Sequence, residues 1–239
     1  MSGIRLWNGD ICDLEVDAIV APAPASLWMT TGVGAAIKQR GGHGIEFEAV
    51  AHGPQLLGTA LATGAGKLSA RFVIHAVTLG SDRRLSATAL DSSTRAALRL
   101  AESLGLHTMA FAALGSPMGG VPLADSAEIM VRALREELPA CTSIGEVVIA
   151  VPGARTYTAF LKELASPRVA AVPVEPGAHA PRVAVIDAIR SHEHPAKPGG
   201  QPAAPDAAAG AGLGAAHGAV PAPTGTGSAA PRDPPRGRT

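Results

Sequence analysis

The sequence predicts an α/β fold, with a largely parallel sheet covered by helices on both faces and a disordered tail after it. Three observations carry this. Apolar runs of strand length alternate with segments whose apolar residues recur at helical spacing. The runs are continuous rather than alternating, as befits strands buried on both sides. Composition then changes near Ser166: all seven aromatic residues precede position 161, whereas 13 of the 20 prolines fall in the last 73 positions. The 239 residues therefore divide into a folded domain over 1–166 and a Pro/Ala/Gly-rich tail over 167–239.

The elements follow in order. IRLW (4–7) and DAIVA (17–21) are the first strands, and APAP (21–24) reads as a proline-broken turn after the second. The piece from 34 to 53, GAAIKQRGGHGIEFEAVAHG, is helical, and TALAT (59–63) and RFVIHAV (71–77) are strands. In the helix over 86–105, Ala89, Leu90, Ala97, Leu98, Ala101 and Leu104 recur on one face, and Gly105 sits where a C-terminal cap wants a left-handed residue. After the strand HTMAFAAL (107–114), Pro122 opens a helix where a missing N–H costs nothing, and Pro139 closes it. EVVIAV (146–151) and ARTYTAFLKELA (154–165) complete the domain.

The tail has too few large apolar residues to offset the entropy of ordering. Its one apolar run, RVAVIDAIR (182–190), is the segment able to form a transient helix or to dock. Charge is balanced, with 13 Lys/Arg against 15 Asp/Glu up to Ser166 and 7 against 5 after it, so there is no footprint for duplex nucleic acid. The basic end, RDPPRGR, reads as a solvated terminus. Cys12 and Cys141 lie in no Cys or His cluster, so they are expected to be free thiols, with no metal and no cofactor. No membrane-spanning run and no apolar leader are visible, and a cytoplasmic monomer is the expectation.

In an open α/β sheet, ligands bind beyond the carboxyl ends of the strands, where loops enter helices. Two glycine-rich loops lie there: TTGVGAAI after the second strand, and LGSPMGGVP after the strand ending at 114. Each alone is a weak signal, because G-x-G more often marks an ordinary tight turn than a phosphate cradle. Two of them, each leading into a helix N-terminus with its unsatisfied N–H groups, favour phosphate.

In order and spacing, NGDICDLEVDAIVAPA, LWMTTGVGAAIKQRGG, GTALATGAGKLSARFVIHAV and AFAALGSPMGGVP resemble the macrodomain family over about residues 3–165, and most closely a bacterial branch with Leu-Trp-Met before the first glycine loop. The resemblance implies a three-layer α/β/α domain with a mixed, mostly parallel sheet of about six strands and a cleft for ADP-ribose at its crest. It assigns Asp10 to the adenine amino group, with the Ile11 backbone beside it, a role that suits a carboxylate acting only as acceptor. It assigns Thr31, Gly32, Val33 and Gly34 to one phosphate, and Gly115, Ser116, Met118 and Gly119 to the other phosphate and the distal ribose. Without the resemblance, Asp10 reads as a turn aspartate near a helix start.

The chain also departs from the family. Asn-Ala-Ala-Asn is usual where this sequence has Ala21, Pro22, Ala23 and Pro24, and Pro24 supplies neither the amide that contacts the distal ribose nor an N–H. Gly34 stands where hydrolytic branches place an aspartate, and Pro117 stands where glycine is usual. No catalytic residue is assigned. The expected partner is ADP-ribose or an ADP-ribosylated macromolecule, bound weakly, with slow substrate-assisted hydrolysis left open; the alternative is a degenerate domain serving as an interaction scaffold. His75 is expected to be structural, Trp28 either covers the distal ribose or fills the core, and Asp125, Glu128, Glu136 and Glu137 form a solvated face.

Overall fold

Six strands form one sheet in the order β1-β6-β5-β2-β4-β3: β1 (Gly3–Trp7), β2 (Ala18–Pro24), β3 (Ala60–Gly64), β4 (Phe72–Leu79), β5 (Thr108–Ala112) and β6 (Glu146–Ala150). All neighbouring pairs are parallel except β3 with β4, so the sheet is mixed, with its one antiparallel strand at an edge. This computed structural model describes residues 3–80, 82, 84–115 and 120–166. The expected tail, with RVAVIDAIR, lies outside the described residues.

Five helices cover the sheet: α1 (Gly32–Gly41), α2 (Gly44–Ala51), α3 (Ala87–Ser103), α4 (Leu123–Glu137) and α5 (Ala154–Ala165). The larger core joins α3, α4 and α5 to one face through Leu90, Leu98, Met130, Leu134 and Phe160, set against Ile74, Phe111 and Ile149. On the other face, Ile37 of α1 and Ile45 of α2 pack on Ile19, Val73 and Val148. Helices on both faces of a mostly parallel sheet make the three-layer architecture the sequence predicts.

Three local expectations hold in detail. Gly105, one residue past the C-cap of α3, is left-handed at φ 63°; at the other end of that helix Ser86, which the sequence reading did not single out, accepts the Ala89 N–H at 3.4 Å. Pro122 stands at the N-cap of α4, and Pro139 falls in the 3₁₀ turn Leu138–Ala140 that ends it.

Three others are corrected. The helical piece over 34–53 is two helices, because Gly42 at φ 107° stops α1 and turns the chain. Gly66 is needed there as well: with φ 60°, a Cβ on it would sit 2.1 Å from the Gly41 carbonyl oxygen, so α1 ends directly on the backbone of the 65–67 turn.

The APAP stretch is not a turn but the end of central strand β2. Pairing with β5 stops at Val20, and from Ala21 onward β2 pairs only with β4. Ala25 donates its N–H to the Leu79 carbonyl on the β4 side. By alternation, Pro22 and Pro24 face the side β5 has left, where a residue without an N–H forfeits no ladder bond.

The acidic face of α4 is only partly solvated. Glu136 pairs with Arg95, and Glu137, with a side chain 12% exposed, pairs with Arg95 and Arg99, joining α4 to α3.

Candidate functional site

The carboxyl ends of the parallel strands lie on one side of the sheet, and the candidate residues gather there. From β1 the chain passes Asn8 and Gly9 into a single 3₁₀ turn, Ile11–Asp13, capped by Asp10. Asp10 Oδ1 accepts the Cys12 N–H at 2.9 Å. Oδ2 accepts from Arg40 Nη1 at 3.2 Å, while Arg40 Nη2 reaches Asp13 Oδ1 at 2.7 Å. The Cys12 N–H, with Arg40 adding to it, holds the Asp10 carboxyl below the usual carboxylate range. Asp10 therefore does fill the turn-aspartate role, and its half-exposed side chain keeps acceptor capacity towards solvent. Ile11 is buried beneath it. Burial, then the Asp10 charge, pushes the Cys12 thiol up to about 12, so this cysteine stays protonated and unreactive.

The first glycine loop is the first turn of α1. Thr31 is its N-cap, and the first helical bond runs from Ala35 N–H to the Thr31 carbonyl. The amides of Gly32, Val33 and Gly34 are thus the orphan donors of a helix start, at the positive end of its dipole. Gly32 has φ 58°, with nothing within 4 Å of a would-be Cβ. Gly34 is buried, and a Cβ there would meet Met29 at an ordinary 3.6 Å.

A polar anchor that sequence reasoning missed holds this loop from behind. Glu46, 4% exposed in α2, accepts the Met29 N–H at 2.6 Å and pairs with Lys38 of α1 at 2.9 Å. In sequence Glu46 was simply a residue of a long helix; only the break at Gly42 brings α2 back over Lys38.

Of the second loop, Gly115 is described, whereas Ser116, Pro117, Met118 and Gly119 lie outside the described residues. Gly115 is buried with φ 98°, and a Cβ would stand 2.5 Å from Leu85 Cδ2 and 2.9 Å from Ser126 Oγ. Ser126, in the first turn of α4, and Thr78, at the irregular end of β4, carry the two fully buried hydroxyls without a partner among the described residues.

Between the end of β2 and the start of α1 opens a shallow cleft. Ala21, Pro22, Ala23 and Pro24 form one wall, Trp28 and Met29 another, Thr31 and Gly34 the helix-start corner, and His75 and Leu79 the remainder. Trp28 is 47% exposed, so it belongs to the cleft wall and does not fill the core. His75 is structural as expected: its Nε2 lies 3.0 Å from Thr63 Oγ1, and burial lowers its pKa to about 4, keeping the ring neutral. The structure thus brings Thr31 and Gly34 together with the APAP segment in one cleft and sets Asp10 beside the far end of α1, where Arg40 holds it. Among the described residues, no group of three or more His, Cys, Asp or Glu converges to hold a metal, and no helix is long and apolar enough to cross a membrane.

Comparison with known proteins agrees with this architecture. The family model described as Macro domain matches residues 20–130. A macro domain-containing protein of Streptomyces griseus is 38% identical over 169 residues, covering 68% of this chain and 94% of its own length. A Mycobacterium tuberculosis protein is 38% identical over 160 residues, covering 67% of this chain; the match spans only 44% of that relative's length. Among solved structures, the Trypanosoma brucei macrodomain in complex with ADP-ribose aligns with a TM-score of 0.62 at 26% identity, over 67% of this chain and 68% of that one. By its sequence relatives and by its three-layer sheet alike, the chain belongs to the macro domain family.

Proposed function

We propose that the chain binds ADP-ribose or a related ADP-containing nucleotide along α1, with the base at Asp10 and one phosphate at Thr31–Gly34. The observation that carries this reading is the arrangement of α1 itself. Its first turn offers free amides at the mouth of the cleft, while Arg40 in its last turn holds an ionised acceptor, Asp10, at the other end. One helix thereby presents an anion site and an amino-group acceptor at the two ends of its length, as a nucleoside diphosphate requires. The Trypanosoma brucei relative crystallised with ADP-ribose supports the choice of ligand class.

Binding is weak by this reading, because Pro22 and Pro24 remove donors. Each unpaired group in a buried site costs on the order of 1–3 kcal/mol, or about tenfold to a hundredfold in affinity. Hydrolysis of ADP-ribose conjugates, if the cleft performs it, is slow and substrate-assisted, since Gly34 presents no acid. The folded unit is residues 1–166, it acts as a cytoplasmic monomer, and the second loop, Gly115 to Gly119, takes the remaining phosphate.

The second reading, an interaction scaffold without nucleotide, is favoured by the prolines in the cleft wall. Calorimetric titration of the full chain with ADP-ribose, AMP and NAD separates the two. Saturable heat at micromolar to millimolar ADP-ribose supports binding, and no heat at millimolar ligand leaves the scaffold.

A further inference from the structure

Trp7 is the last residue of the edge strand β1, at the end of the sheet where the candidate residues gather. Ile4 and Leu6 pack against the larger core, so by strand alternation Arg5 and Trp7 face the side of the sheet that carries α1. There the indole lies across Gly9: a Cβ on that glycine would stand 2.5 Å from Trp7 Nε1 and 2.9 Å from Cε2. Gly9 is the bed of the ring, and the next residue is Asp10. The Trp7 carbonyl accepts the Val151 N–H at 2.8 Å, Asn8 Oδ1 accepts the Gly153 N–H at 3.3 Å, and Arg40 holds Asp10, so the backbone is pinned on both flanks of the ring. The indole is nevertheless 40% exposed. A large aromatic face is thus held at the surface beside an ionised acceptor.

We infer that Trp7 is the platform on which the base of the bound nucleotide stacks, and that this platform makes the site prefer a purine to a pyrimidine. The inference rests on the nucleotide reading above, which sets the base at Asp10. A carboxylate accepts from any exocyclic amino group, and adenine and cytosine both carry one, so Asp10 by itself does not measure the size of the base. An indole face does. Stacking grows with overlap, and a two-ring base covers more of the indole than a one-ring base. Asp10 then fixes the orientation of the base in its plane, while Trp7 supplies the contact area. Little ordering is needed on binding, because Gly9 and the pinned backbone already hold the ring in place.

The test titrates the full chain with ADP and CDP by calorimetry. ADP should bind about five- to tenfold more tightly than CDP, and Trp7→Leu should weaken ADP about tenfold and bring the two nucleotides within about twofold of each other. Trp7→Phe keeps an aromatic face and should retain most of the preference. The chain has two tryptophans, so in Trp28→Phe the emission comes from Trp7 alone, and ADP should quench it in step with binding. Where Trp7→Leu does not fold, this emission decides. ADP no tighter than CDP, equal weakening of both by Trp7→Leu, or saturation by ADP without a change in emission overturns the inference while the nucleotide reading stands. If ADP itself does not bind, both fall.

Discussion

The Glu46 carboxylate accepts the Met29 backbone N–H at 2.6 Å across 17 residues of sequence, and the same carboxylate pairs with Lys38. This one side chain ties α2, α1 and the segment that carries Trp28 into the cleft. Glu46→Ala strands both an amide donor and an ammonium group that is 19% exposed. A loss of about 2–4 kcal/mol is expected, because breaking one half of a buried pair costs more than the pair is worth. Glu46→Gln keeps an acceptor for Met29 and should lose about half as much. Urea unfolding of the two variants measures the difference, and equal losses would mean that the charge, not the amide contact, is what matters.

His75 should impose a pH dependence on stability. Its folded pKa of about 4 lies below its ordinary 6.5, so between these values the unfolded chain takes up a proton that the folded chain refuses. Stability is fully present above about pH 6.5 and is lost progressively as pH falls towards 4. The total is about 3 kcal/mol, given ~1.4 kcal/mol for each pKa unit. Thermal melts between pH 4 and 7.5 should show this slope in the native chain and a shallower one in His75→Gln; parallel slopes would remove His75 as the cause.

Asp10 carries two roles that substitution can separate. Asp10→Ala loses the cap on the 3₁₀ turn and the Arg40 pairing, so the melting temperature should drop by the equivalent of about 1 kcal/mol, with nucleotide affinity falling as well. Asp10→Asn still accepts the Cys12 N–H but is neutral, so its melting temperature should stay near that of the native chain while AMP affinity falls several-fold. Unchanged AMP affinity in Asp10→Asn would leave Asp10 with its capping role alone.

Removing residues 167–239 should leave the melting temperature within a few degrees. Arg135 of α4 already holds the carbonyls of Leu164 and Ser166, at 2.7 and 3.1 Å, so the end of α5 is secured by contacts inside the domain. A large drop in calorimetry would show that a tail segment docks.

The sequence alone determined the layers of this protein. Continuous apolar strands need cover on both faces, and the stripe of α3, Gly105 and the prolines that bound α4 each have a local cause that acts wherever the chain sits. The first glycine loop was legible for the same reason, since a helix start exposes its amides whatever surrounds it. Tertiary structure decided what local pattern leaves ambiguous. Prolines normally end a strand, and Pro22 and Pro24 continue one only because β5 stops pairing at Val20 and leaves that side without a ladder. Arg40 on Asp10 and Glu46 on Met29 join residues 30 and 17 positions apart; no periodicity encodes such pairs, because they exist only once α1 has ended at Gly42 and α2 has folded back. Trp28 took its place by the same logic: its sequence suited core and cleft equally, and the anchored turn before α1 set it in the cleft wall.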